Sequence, residues 1–302
     1  MMLSPNPMKR LKTNNTGNEN PKGDSTSSKI LGLWESLNPE ILSDIFIRVH
    51  EQDGLARAVP FVCKPWREVF DSPYCWSDID LEQWCRRVKN TGTIDFAVKK
   101  LVRRSKGNFH RLSVYMLSDL GFAFVATCAE HLKVLQIPMS RVTDKMVEYH
   151  ATSFSKLTFL DISNCLQVTC KGLEILGKNC KFLTTLRRNM ALRELEEAER
   201  PPAAKVNDGE ALVIADTMES LCNLELCYGR FGDTGLDALL TKCKNLTHLD
   251  ILGSLCVRLD GDLLDRCECL TKFRGPYDDL EDLYSDDDNE ATVLSSDSDS
   301  DQ

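Results

Sequence analysis

Thirteen cysteines and five histidines carry most of the reactive chemistry available to this 302-residue chain. Zinc is the first use to consider, since a structural site takes paired ligands, typically a C-x-x-C with a second Cys or His pair. No C-x-x-C occurs; the close pairs are Cys165/Cys170, Cys222/Cys227 and Cys267/Cys269. A thiol nucleophile needs a base fixed beside it, and Cys63 has none and falls within an apolar set. The histidines (His50, His110, His131, His150, His248) are scattered, with no H-E-x-x-H, no G-x-S-x-G and no Walker loop. Gly229, Gly232 and Gly235 are spaced wrongly for a phosphate cradle and fall, in the register described below, in a strand-to-helix turn. No catalytic residue, metal or cofactor is therefore expected, and the chain reads as non-enzymatic. Its first 29 residues lack the apolar core of a signal peptide, and no later run approaches membrane-spanning length. The thiols are thus expected in a reducing compartment, nucleus or cytoplasm, as small buried hydrophobes.

Charge is concentrated at one end. Residues 278–302 hold eleven Asp and Glu and no Lys or Arg, so the formal charge of -9 leaves +2 for residues 1–277 (-9 + 11). A nearly neutral body carries no overall bias toward nucleic acid or membrane. In the tail, Ser285 precedes Asp286–Asp288, and Ser296 and Ser298 each have Asp three residues later. These serines suit acid-directed kinases, each phosphate adding about -1.5 to -2; a solubilising tail, or one that binds basic proteins, is the other reading. Lys99, Lys100, Arg103, Arg104, Lys106 and Arg111 form a basic run, but only Phe109 is near enough to stack a base. It reads as a solvated connecting helix, and no nucleic acid is expected.

The elements that organise these residues follow from repetition. Units begin FHRLSV, LKVLQI, LTFLDI, LTTLRR, LCNLEL, LTHLDI and LTKF, at Phe109, Leu132, Leu157, Leu183, Leu221, Leu246 and Leu270. The intervals of 23, 25, 26, 38, 25 and 24 residues and the L-x-x-L-x-L pattern are those of leucine-rich repeats. Each unit reads as a strand followed by a helix. Strands stack about 4.8 Å apart and helices about 10 Å, so the stack becomes an arc with strands inside. The inner sheet is the expected binding surface. Its exposed column reads Ser113, Gln136, Asp161, Arg187, Glu225, Asp250. The fourth unit is about 13 residues too long and has Arg188 where its neighbours have Ile or Leu. Its excess, RELEEAERPPAAKVNDG, reads as a projecting loop: either a preferred contact site, where a local rule is broken, or a neutral surface insertion, since long loops cost little. Gln136, Asp161, Arg187, Arg188, Glu225 and Asp250 are accordingly the expected substrate-side residues.

A different pattern precedes the repeats. Asn38 suits an N-cap and Pro39 the first helical position. Ile41, Leu42, Ile45, Phe46 and Val49 then recur at helical spacing. Gly54 marks a turn, and Leu55, Val59, Val62, Cys63, Trp66, Val69 and Phe70 supply a second apolar set. Pro60 and Pro65 split it into two short helical pieces. So small a unit with so much apolar surface completes its core with a partner, or against the rest of the chain.

Leu37, Glu40–Leu42, Ile45, Phe46, Val62-Cys63-Lys64, Trp66-Arg67 and Trp76 together resemble the F-box motif. Coupled to cysteine-containing repeats of this period, the chain resembles an F-box/leucine-rich-repeat protein, most similar to a compact plant group. The resemblance covers about residues 30–275 and implies an α/β architecture, a small helical F-box unit followed by a leucine-rich-repeat solenoid; the two tails lie outside it and read as disordered from their composition. The expected boundaries are 1–29 tail, 30–80 F-box, 81–108 helical linker, 109–275 repeats and 276–302 acidic tail. It further implies a Skp-family adaptor on Leu37, Pro39, Ile41, Leu42, Ile45, Phe46, Val62, Cys63 and Trp66. The adaptor would connect indirectly to a cullin ligase scaffold, with an unknown protein substrate held by the repeats for ubiquitination. The competing expectation is a leucine-rich-repeat scaffold outside any ligase, its helical unit a mere cap.

Overall fold

Three residues of strand per repeat, with one apolar side chain in the middle, generate the whole sheet. In a computed structural model that describes residues 36–48, 58–190 and 206–278, eight such strands pair in parallel in simple sequence order. They are β1 (Asp78–Asp80), β2 (Arg111–Ser113), β3 (Val134–Gln136), β4 (Phe159–Asp161), β5 (Thr185–Arg187), β6 (Asn223–Glu225), β7 (His248–Asp250) and β8 (Lys272–Arg274). The register aligns the central Ile79, Leu112, Leu135, Leu160, Leu186, Leu224, Leu249 and Phe273 in one row. The first seven of these are buried, each leucine contributing about 1.5–3 kcal/mol of transfer free energy. The flanking residues of every strand point the other way, onto the inner face of the arc.

Helices return the chain from each strand to the next. They are α1 (Pro39–Arg48), α2 (Lys64–Phe70), α3 (Glu82–Val88), α4 (Thr91–Arg104), α5 (Asp119–Ala126), α6 (Asp144–His150), α7 (Cys170–Asn179), α8 (Gly209–Thr217), α9 (Asp233–Lys242) and α10 (Leu263–Glu268). Cys180, Cys243 and Cys267, three residues before the next unit's first leucine, are buried at the helix-to-strand returns. All thirteen cysteines are free thiols, and burial pushes those of Cys165 and Cys180 up to about 12.

Aspartates at the helix starts tie neighbouring repeats together. Asp95 accepts from the Ser118 amide (3.2 Å) and from its hydroxyl. Asp119 accepts from the Thr143 amide (2.8 Å) and hydroxyl (3.0 Å). Asp144 does the same for Thr169 (2.8 and 2.6 Å) and also takes the Gly172 amide at 3.0 Å. Asp208 receives the amides of Gly232 and Gly235, and Asp233 those of Arg258, Leu259 and Asp260. Each carboxylate thus caps the helix or loop of the following repeat, satisfying amides that have no partner within their own helix. The ladder misses one rung, because Cys170 stands where the series calls for Asp.

The sheet starts earlier than the leucine pattern does. β1 pairs with β2 in the common register, and α3 and α4 follow it as a first strand-and-helix unit over residues that read as linker. Ahead of it, α1, the 3-10 turn Val59–Phe61, α2 and the 3-10 turn Pro73–Trp76 form the small helical unit. Its interior is a chain of edge-on aromatic contacts: Phe46 to Trp66 (5.4 Å), Phe46 to Phe70 (6.1 Å) and Phe70 to Trp76 (4.9 Å). Arg104 of α4 lies over both the Phe70 and Trp76 rings, so this unit and the solenoid share one core. Both prolines sit where helices tolerate them, Pro60 in the 3-10 turn and Pro65 in the first turn of α2. Ser36–Asn38 belong to a separate N-terminal unit, in which Leu37 is half-buried.

Candidate functional site

Two surfaces offer contacts, one on the helical unit and one on the inner sheet. Of the nine residues expected at a partner, Leu37 belongs to the N-terminal unit and the other eight lie on the helical unit. Leu42 and Phe46 are 1% and 4% exposed and point inward onto Phe70 and its neighbours. They form the unit's core, so a direct contact through them is corrected to a supporting one. Ile41 and Ile45, also four residues apart, lie on the outer face at 53% and 39% exposure. Val62 is 51% exposed, and its neighbour Phe61, which the sequence reading passed over, is 80% exposed. Pro39 is exposed at the start of α1, while Cys63 and Trp66 are half-buried. Phe61 was overlooked because it falls off the helical period, in the turn before α2. A cavity of about 660 Å³ opens on the other flank of α1 from Ile41 and Ile45, bordered by Ser43, Ile47, Pro65, Val69 and Tyr74 and by the carboxylates of Glu40, Asp44 and Glu68.

On the inner face, the strand register assembles two parallel columns. One runs Asp78, Arg111, Val134, Phe159, Thr185, Asn223, His248, Lys272; the other runs Asp80, Ser113, Gln136, Asp161, Arg187, Glu225, Asp250, Arg274. Five carboxylates face four cations there, and most are paired across neighbouring strands. Arg187 meets Glu225 at 2.8 Å and lies over the Phe159 ring at 5.2 Å. Arg274 meets Asp250 at 3.2 Å, and Asp250 also accepts from the Cys227 thiol at 3.1 Å. Arg111 reaches Asp78 and Asp80 at 3.5 and 3.6 Å and donates to Gln136 at 3.0 Å. Burial raises the carboxyl pKa of Asp161, against the opposing pull of the Ser163 amide and hydroxyl and of Arg187. The column is therefore charge-matched rather than acidic. Ser113 is not on its open part: it is buried, with its hydroxyl directed at Glu82 of α3.

Arg188 also departs from its expected role. It is 3% exposed, turned away from the inner face, and its guanidinium is spent inside the fold. Nη1 donates to the carbonyls of Cys165 (3.0 Å) and Ile162 (3.3 Å), and Nη2 to that of Val168 (2.8 Å). Nε and Nη2 form a fork onto Glu210, at 3.2 and 3.0 Å. The clamp stands beside Cys170, at the missing rung of the aspartate ladder. Arg188 joins α8 of its own repeat to the carbonyls of the third repeat, and its side chain does not open on the inner face. Next to it, Asn189 donates to Glu225 at 3.0 Å and accepts from the Cys227 amide at 3.0 Å. Asn189 is thus an inner-face residue missed by the column rule, because it lies beyond the strand.

The loop excess of the fourth unit falls largely on residues 191–205, and Ser285, Ser296 and Ser298 on residues 279–302; both stretches lie outside the described residues. No helix among the described residues is long and apolar enough to cross a membrane. Among them, no cluster of His, Cys, Asp and Glu is arranged to hold a metal.

No family model matches the chain. It is similar to F-box protein FBW2 of Arabidopsis thaliana, at 36% identity over 84% of this chain and 80% of that protein. F-box protein SKIP19 of the same plant is 32% identical over 83% of this chain and 79% of that protein. Putative F-box/LRR-repeat protein 23, again from Arabidopsis thaliana, is 28% identical over 89% of this chain and 59% of that protein.

Proposed function

The chain belongs to the F-box/leucine-rich-repeat proteins, and from that premise we propose that it is the substrate-recognition subunit of a Skp–cullin–F-box ubiquitin ligase. One observation carries the adaptor half of this reading. The helical unit has its aromatic interior already packed, in one core with the solenoid, and still leaves Ile41, Ile45, Phe61 and Val62 facing outward. Apolar groups at that exposure on a well-packed unit favour a protein partner, and the family supplies one in the Skp-type adaptor. The partner would carry the cullin scaffold, while the inner face of the repeats holds a protein substrate.

No step of ubiquitin transfer is assigned to this chain. Its contribution is positional: holding the substrate close to a charged conjugating enzyme raises the effective concentration of substrate lysines. The protein acts in the nucleus or the cytoplasm in this reading. A charge-matched inner face selects by the pattern of its hydrogen bonds, since a wrong partner leaves Arg187, Glu225 or Asp250 desolvated and unpaired.

Co-purification with a Skp-type adaptor tests the reading. Ile41→Asp with Phe61→Asp should weaken adaptor binding by at least about 30-fold, at roughly 1–3 kcal/mol per residue, with the thermal melt unchanged. These two sites are suitable because neither supports the core. Undiminished binding by the folded double variant would sink the docking surface, and absence of any adaptor from the wild-type pull-down would favour the scaffold alternative.

A further inference from the structure

Helix α4 carries a cationic stripe that the fold does not neutralise. Its buried arc is Ile94, Asp95, Val98, Leu101 and Val102. At 100° per residue the opposite arc is continuous and holds Phe96, Lys99, Lys100, Arg103 and Arg104. Lys106 follows one turn on. Phe96 is 69% exposed, and Lys99 and Arg103 lie over the Phe124 ring of α5 at 6.0 and 5.3 Å. Among the described residues, none of these five cations has a carboxylate within ion-pair distance. The contrast with other helices is plain: Lys171 pairs with Glu148, Lys178 with Glu174, Lys242 with Asp216 and Arg266 with Asp237. A favourable dipole interaction at a helix C-terminus accounts for Arg103 and Arg104 but not for Lys99 and Lys100.

We propose that the distal part of the chain's own acidic tail, residues 296–302, docks on this stripe, and that phosphorylation of Ser296 and Ser298 tightens the contact. Charge is the first argument: that stretch holds Asp297, Asp299 and Asp301 and no cation. Reach is the second. On the helix side of the arc, six spacings of about 10 Å separate α10 from α4, about 60 Å in all. The 24 residues beyond Asp278 extend to about 79 Å, so only the distal stretch arrives at α4 with slack to lie along it. Each phosphate would add about -1.5 to -2 opposite Arg103 and the lysines. Because α4 also stacks Arg104 on Phe70 and Trp76, the docked tail would lie beside the helical unit. This inference stands apart from the ligase reading.

Carbodiimide cross-linking of the full chain, mixed from light and heavy isotope-labelled copies, tests it. At low salt, Asp297, Asp299 or Asp301 should link to Lys99, Lys100 or Lys106 at least fivefold above exposed lysines elsewhere, as roughly expected for ion pairs within a Debye length. The links should join labels of one kind only and fall severalfold in 0.5 M salt, on the order of several Debye lengths of added screening. Arg103→Glu, which leaves the lysines in place, should reduce them, and Ser296→Glu with Ser298→Glu should increase them. Links spread over lysines by exposure alone, or links joining light to heavy copies, would overturn docking in cis. If Arg103→Glu fails to fold, the salt series and the serine variants still decide.

Discussion

Arg188 stands in the register of Val114, Ile137, Ile162, Leu226 and Ile251, all of them buried and apolar. A charged group in that row is tolerated because five hydrogen bonds consume its guanidinium: three to backbone carbonyls and a fork to Glu210. Arg188→Ala would remove a charged donor from each of those carbonyls and from Glu210, and should lower the unfolding free energy by about 3 kcal/mol. Arg188→Lys should lose most of the same amount, because one ammonium cannot reach both the carbonyls and the carboxylate. Arg187→Ala, one residue away on the open inner face, removes a surface ion pair with Glu225 and should cost less than about 1 kcal/mol. Urea titration of the three variants checks the order. The thiols give a second residue-scale expectation. With Cys165, Cys180 and Cys227 pushed up to about 12 chiefly by burial, almost no thiolate forms at neutral pH. An alkylating reagent should label the exposed Cys269 quickly and spare those three until the protein unfolds, as peptide mass spectrometry would show.

At the scale of elements, the aspartate ladder sets how closely repeats approach. Gly172 donates its amide to Asp144, and a Cβ at that glycine would come within 2.4 Å of Asp144 Oδ1 and 2.9 Å of Val168 Cγ1. Gly172→Ala should therefore destabilise more than its helix propensity, worth about 1 kcal/mol in the other direction, would indicate. Asp144→Ala should cost about 1–3 kcal/mol, and Asp144→Asn about half as much, since an amide oxygen still accepts one bond. Thermal melts of the three variants separate crowding from hydrogen bonding. The solenoid itself was legible because a leucine every 23 to 26 residues is a strong signal. The ladder is legible too: Ser118-Asp119, Thr143-Asp144, Asn207-Asp208 and Gly232-Asp233, with Thr169-Cys170 in the gap, follow the leucine intervals of 25, 26, 38 and 25 residues. Two features were not legible. β1 has Ile79 without a leucine frame, so only pairing with β2 reveals it. The inward turn of Arg188 depends on Glu210, which lies beyond the long insertion and has no fixed sequence spacing from it.

At the scale of the molecule, one apolar core runs from Leu42 of α1 to Cys267 of α10. Repeat arrays couple mainly through neighbours, so cooperativity is only as strong as the weakest junction. That junction lies between the third and fourth repeats, where Cys170 replaces the aspartate rung and the Arg188–Glu210 clamp substitutes for it. The tryptophans provide a built-in reporter, because Trp34, Trp66, Trp76 and Trp84 all precede the first leucine-marked repeat. Far-ultraviolet circular dichroism reads mainly the repeats behind them. In the wild type, fluorescence and circular dichroism should give coincident denaturation midpoints, as a single cooperative transition requires. In Arg188→Ala they should separate, the repeats after α7 melting first while the tryptophan signal stays native. Separate midpoints in the wild type would place the cooperative boundary elsewhere. Coincident ones in the variant would show that leucine packing alone, without the clamp, carries the coupling across the missing rung.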